Sequence, residues 1–192
     1  MIKIVALGNS LTEGFGLARG ENLVDVLRRR LEERGIRCHM INAGISGDTT
    51  LGGLSRTDVY LQDPPDILMI ELGINDALLE YPLSEIEENL KKIIKKGLEA
   101  GARPLLIGTD IPEEFTDIPR SYREGYSHLF ELLAQEFNIP LCHHLLKGVA
   151  GDPKYTLFDL LHPNPQGVEK MAEKIITTLE KMIKDITTQK DI

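Results

Sequence analysis

The chain has no tryptophan, only two cysteines, and 22 basic against 30 acidic residues, for a net charge of −8. No Lys/Arg cluster stands beside a motif, so the electrostatic footprint that nucleic-acid binding requires is missing. The run Arg28-Arg29-Arg30 is answered by Glu32 and Glu33 on the same helical stretch, which reads as a solvated mixed face. No apolar run approaches the ~18 to 20 residues of a membrane span, which argues against stable membrane insertion. Lys3 interrupts the first apolar stretch, so no signal peptide is read and the chain as given is expected to be cytoplasmic, or periplasmic or secreted if a leader has been removed. Neither Cys38 nor Cys142 belongs to a C-x-x-C pair, and both are expected as separate core thiols near strand ends. A phosphate-binding P-loop would need Gly-Lys-Ser/Thr where this chain has Glu13-Gly14, and the dinucleotide pattern G-x-G-x-x-G is absent. No metal-ligand spacing occurs; His143-His144 beside a carboxylate is the nearest approach.

What remains is strongly patterned. Apolar runs at 2–7, 38–42, 66–72, 103–109 and 139–143 read as five strands. Between them lie segments of helical period, at about 23–34, 51–61, 84–101 and 120–137, and a last one opens at Pro165. Ser84 with Glu87 three residues on reads as a capping box. Strand and helix in strict alternation mean a parallel sheet covered by helices on both faces, an α/β fold in one domain over 1–186, with 187–192 fraying.

In such sheets ligands bind beyond the carboxyl ends of the strands. Those ends carry Gly8-Asn9-Ser10, then Asn42 to Thr49 with Gly47 inside it, then Gly73-Ile74-Asn75-Asp76, and late in the chain Asp159-Leu160-Leu161-His162-Pro163. A serine hydroxyl attacks a carbonyl only if a base takes its proton, histidine is suited to that near neutral pH, and a carboxylate fixes the histidine tautomer. The amides of Ser10 and Gly47 and the side chain of Asn75 are suitable donors to an oxyanion. Asp48 and Asp76 read as turn residues that bond their own backbone.

GNSLTEG, NAGISGDTT, ELGIND and DLLHPN, in that order, resemble the four signature blocks of the SGNH, or GDSL, hydrolases, and within them the thioesterase I and arylesterase branch. The resemblance implies a three-layer α/β/α sandwich whose five parallel strands follow the flavodoxin-like order 2-1-3-4-5. It implies Ser10 as nucleophile, His162 as base, Asp159 as its partner, and Ser10, Gly47 and Asn75 as oxyanion donors, without metal or cofactor. The implied substrates are small acyl esters or thioesters: aryl esters, acyl-CoA, lysophospholipids and, in other branches, acetylated sugars. The alternatives are a carbohydrate O-acetylesterase or a non-catalytic binding module that kept the fold.

Apolar residues near the blocks, Ile74, Leu78, Ile111, Phe115, Phe158, Leu160 and Leu161, are candidates for an acyl pocket, and the loop 110–122 for one wall of the cleft. One position departs from the family pattern. The first block usually reads Gly-Asp-Ser-Leu, and this chain has Asn9. The change is expected to alter how the Ser10 turn is held; if asparagine merely weakens that turn, Asn9→Asp would raise turnover and leave chain-length preference alone.

Overall fold

A computed structural model describes residues 1–190 other than 114 and 116. It contains five strands, β1 (Ile2–Gly8), β2 (Cys38–Gly44), β3 (Ile67–Glu71), β4 (Arg103–Ile107) and β5 (Leu141–Cys142). They form one sheet in the order β2-β1-β3-β4-β5, every pair parallel. The helices are α1 (Ser10–Glu13), α2 (Leu23–Glu33), α3 (Thr50–Leu61), α4 (Ile74–Leu78), α5 (Leu83–Glu99), α6 (Arg120–Phe137) and α7 (Pro165–Lys190).

Central strands buried on both faces should be apolar throughout, and β3, Ile-Leu-Met-Ile-Glu, is buried at all five positions. The helices are one-sided. In α2, Leu23, Val24, Val26, Leu27 and Leu31 are buried while the Arg28 and Arg29 side chains stand in solvent. Helix α2 packs with α7 in one layer, and α3, α5 and α6 pack in the other. Close approach depends on two glycines here: a Cβ on Gly53 of α3 would lie 2.2 Å from Leu72, and one on Gly97 of α5 would lie 3.0 Å from Leu68. Among the described residues no helix is long and apolar enough to cross a membrane.

The chain leaves β1 toward β2 and then returns across it to β3, so the strand order reverses between β1 and β3. Ser10 follows β1 and Asn75 follows β3, which sets both at the switch point where such sheets bind ligands.

Several boundaries differ from the sequence reading. Strand β5 has two residues rather than five, because the Ile139 amide closes α6 on Ala134 after left-handed Asn138 and is spent there. Helix α5 starts at Leu83, with Pro82 as its cap and no side-chain capping bond, so the Ser84–Glu87 box does not form. The Glu85 and Ile86 amides both reach the Pro82 carbonyl, which places Ser84 inside the first turn. Residues 187–190 belong to α7 rather than to a frayed end: Ile186 is buried, and the Thr187 and Thr188 hydroxyls donate to the carbonyls one turn back. Asp191 and Ile192 lie outside the described residues.

Candidate active site

The turn after β1 is the short helix α1, and Asn9 is its cap. Its Oδ1 accepts from the Leu11 amide at 2.9 Å, which frees Ser10 to open the helix at the end of the strand. Beneath the turn lies Glu71, the last residue of β3 and a carboxylate wholly inside the protein. Its two oxygens accept from Asn9 Nδ2 at 3.0 Å and from the Thr12 hydroxyl at 2.9 Å. Burial pushes the Glu71 carboxyl up to about 7, against the opposing pull of the bonds from Thr12 and Asn9. Helix α1 lies so close over the strand that a Cβ on Gly8 would meet Thr12 Oγ1 at 2.1 Å.

The loop 156–164 brings the second half of the site. It is pinned by a bridge between Thr156 and Pro163 and by the Leu157 amide on the His162 carbonyl. Inside it Asp159 Oδ1 accepts the amides of Leu161 and His162 at 3.0 and 2.9 Å, and Oδ2 takes His162 Nδ1–H at 2.6 Å. The imidazole thus donates from Nδ1 and turns the Nε2 lone pair outward, where Ser10 Oγ stands 3.0 Å away. Burial works against the charge of Asp159, but the His162 side chain and the two amides outweigh it and hold the carboxyl below its ordinary value. The chain of bonds Asp159–His162–Ser10 is continuous across 152 residues of sequence.

Gly47 and Asn75 are tied to the same edge. Asn75 Nδ2 donates to the Asp48 carbonyl at 2.8 Å, and the Ser46 amide and hydroxyl both donate to Glu13 of α1. Gly47 has φ of +79°, with nothing within 4 Å of the place a Cβ would occupy. The positive φ, rather than crowding, is what a side chain there would strain. Arg56 of α3 binds Asp48 and the carbonyls of Gly8 and Ala43, joining the ends of β1 and β2.

Asp48 and Asp76 do more than the turn residues the sequence suggests: Asp76 keeps a bond to its own amide, and both reach α3. Asp48 pairs with Arg56. Asp76 is buried and accepts from the amide and hydroxyl of Thr50, the first residue of α3, so it anchors α3 against α4.

The seven apolar candidates divide. Ile74 and Ile111 are buried in the core, and Leu78, Phe115 and Leu161 pack against it half-covered. Phe158 is fully exposed and Leu160 partly so; with Pro153, Thr156 and Leu157 they line an open recess of about 350 Å³. Of the loop 110–122, Glu114 and Thr116 lie outside the described residues; Ile111, Pro112 and Glu113 line a different cavity of about 400 Å³, together with Asp110 and His144.

Three residues enter the site that the sequence reading does not single out. The signal for Glu71 is a lone carboxylate at the end of a buried apolar strand. Glu13 is the acid of the first block. Phe15, an aromatic between two glycines, lies with its ring centre 4.5 Å from that of His162 and half its surface exposed.

Asp110, His143 and His144 bring ligand atoms within 4.8 Å of one another. The two imidazoles are stacked, 4.0 Å apart and 13° from parallel, so no ion can lie in both ring planes unless one ring turns. The present partners are protein groups: His144 bonds Asp110, and His143 bonds Ser127. Burial first, and His144 second, hold His143 below its ordinary value. His39 and His128 are exposed on the surface.

Comparison with known proteins gives the family. Residues 6–170 match the GDSL-like lipase/acylhydrolase family. The chain belongs to that family. It is 32% identical to an arylesterase of Vibrio mimicus over 93% of this chain and 88% of the relative, and 30% identical to the esterase TesA of Pseudomonas aeruginosa over 94% and 89%. Among solved structures, the psychrotrophic esterase EstA of a Pseudoalteromonas species, inhibited by monoethylphosphonate, superposes with a TM-score of 0.87 at 28% identity, covering 96% of this chain and all of that one. As a GDSL-type esterase the protein is a hydrolase, and its three-layer fold is that of the SGNH hydrolases.

Proposed function

We propose that this GDSL esterase cleaves small acyl esters or thioesters through an acyl-enzyme on Ser10. The observation that carries the reading is the unbroken bond chain from Asp159 through His162 to Ser10 Oγ. Ser10 Oγ attacks the carbonyl carbon while His162 Nε2 takes its proton, and Asp159 stabilises the resulting imidazolium. The oxyanion is held by the amides of Ser10 and Gly47 and by Asn75 Nδ2, whose second N–H remains for the substrate beside the bond to Asp48. His162 then returns the proton to the departing alcohol or thiol, and water, deprotonated by the same imidazole, releases the acid.

The leaving group must lie within reach of His162 Nε2, and so beside the exposed ring of Phe15. An apolar rim of Phe15, Phe158 and Leu160 favours acyl and aryl substrates over acetylated sugars, whose hydroxyls would find few partners there.

The test is hydrolysis of p-nitrophenyl esters from two to twelve carbons by the parent chain and by Ser10→Ala. The expected loss of kcat is about 10⁴-fold or more, since a triad acts as a unit. A parent chain no faster than the variant on every ester would refute the reading.

A further inference from the structure

The family's usual aspartate in the first block would stand here against a buried glutamate. In this chain the two groups are an amide and a carboxylate, Asn9 Nδ2 donating to Glu71 Oε1 at 3.0 Å, both fully buried. We propose that Asn9 and Glu71 form a clamp of fixed polarity that positions the Ser10 turn, and that the amide keeps this clamp closed in alkaline solution, where a pair of acids would open. The clamp rests on the hydrolase reading only in taking activity as its readout.

Both ends of the Asn9 side chain and both oxygens of Glu71 have partners at the clamp. Asn9 spends its Oδ1 on the Leu11 amide and its NH₂ on Glu71, so each end of the side chain has its own task. Glu71 accepts from that NH₂, from the Thr12 hydroxyl and from the backbone amides of Asn9 and Thr12. With aspartate at position 9, the oxygen replacing the NH₂ would face Glu71 Oε1 with no hydrogen between them. One shared proton restores the bond, as in carboxylate pairs that ionise in two separated steps. Loss of that proton leaves two buried charges of one sign under the nucleophile. The amide hydrogens of asparagine do not titrate, so the clamp in this chain does not depend on pH in that way.

The cation on this side, Arg56 of α3, reaches the carbonyl of Gly8 beside Asn9, but its charge is already paired with Asp48. The groups facing Glu71 are Asn9 and Thr12 from the first turn, and from α6 the buried phenol of Tyr126, bonded to Thr109. Burial foremost, then the negative charges of Glu71, Asp76 and Asp110, push that phenol well above its ordinary value, so it stays neutral while Glu71 ionises. Glu71 itself titrates near neutrality. Its Oε1 accepts from Asn9 in either state, whereas the ionised form accepts from Asn9 and Thr12 together.

This geometry reverses the expectation drawn from the sequence for Asn9→Asp. That substitution returns the family residue but sets it against Glu71, so turnover should fall rather than rise as pH increases. In the double variant Asn9→Asp/Glu71→Gln the polarity is exchanged. The amide introduced at position 71 donates to the carboxylate introduced at position 9, its oxygen accepts from Thr12, and the buried charge is again single.

The experiment measures kcat and KM on p-nitrophenyl butyrate for the parent and both variants between about pH 6 and 9, below the melting temperature of each. The expected result is that Asn9→Asp matches the parent within about twofold at pH 6 and loses about tenfold or more in kcat by pH 9, with KM little changed. Asn9→Asp/Glu71→Gln should recover the alkaline kcat. If Asn9→Asp unfolds in alkali, the double variant should restore its melting temperature and kcat together. An Asn9→Asp profile parallel to the parent's, or a double variant that stays as impaired as Asn9→Asp, overturns the clamp. Failure of the hydrolase reading shows itself differently, as a parent no faster than Ser10→Ala.

Discussion

Glu71 costs the protein stability as well as ordering its turn, and the cost has a definite sign. Its ordinary value of 4.5 is raised to about 7 in the folded chain. Below about 4.5 both folded and unfolded chains hold the proton, and the group contributes nothing against folding. Between about 4.5 and 7 the unfolded chain gives it up while the folded chain keeps it, so stability drains away as pH rises and levels off above 7. The span amounts to about 3 kcal/mol at roughly 1.36 kcal/mol per unit. Urea unfolding of Glu71→Gln and the parent at pH 4.5 and 7.5 isolates it: the variant should gain on the parent by a few kcal/mol as pH rises. An unchanging difference would show that the carboxyl titrates near its ordinary value. Asp159 behaves oppositely: burial works against its charge, but the His162 side chain and the two amides outweigh it and hold the carboxyl below its ordinary value.

At the scale of elements, the anchor between α3 and α4 is the most exposed to test. Asp76 on α4 satisfies the Thr50 amide and hydroxyl at the first turn of α3, and Asn89 of α5 donates to the same hydroxyl. Asp76→Ala strands those buried donors and should cost about 1 to 3 kcal/mol by denaturant melts. Since Gly47 and Asp48 immediately precede α3, Asp76→Ala should also lower kcat beyond what the stability loss explains. The long elements are readable in advance because their patterns are long: α2 and α7 repeat buried residues over several turns, and β1 and β3 are apolar on both faces. The short ones are not. Helices α1 and α4, of four and five residues, look like turns because a single capped turn has no period to detect. The candidate residues Ser10, Asp159 and His162 can be named from the sequence because their order along the chain is itself a pattern. The partners of Phe15 and Glu71 cannot, since a ring contact and a buried bond depend on which segments meet in space.

The whole sheet makes its own prediction about the cysteines. Cys38 lies on β2 and Cys142 on β5, the two outer strands, and both thiols are free and buried. Four strand spacings of ~4.8 Å separate the edges by about 19 Å. A disulfide needs Cα atoms within about 7 Å, so none can join them without breaking the sheet. Melting curves with and without dithiothreitol should coincide, and a reductant-dependent shift would mean a bridge between chains.

The distance in sequence between Ser10 and His162 has a consequence in time. The serine emerges from the ribosome early, and its histidine follows 152 residues later. At roughly 5 to 20 residues per second, translation separates the appearance of the two groups by about 8 to 30 s. If Ser10 and His162 act as proposed, a chain that still lacks the 156–164 loop holds the hydroxyl but not the imidazole, and no ester can be cleaved until that loop has been made.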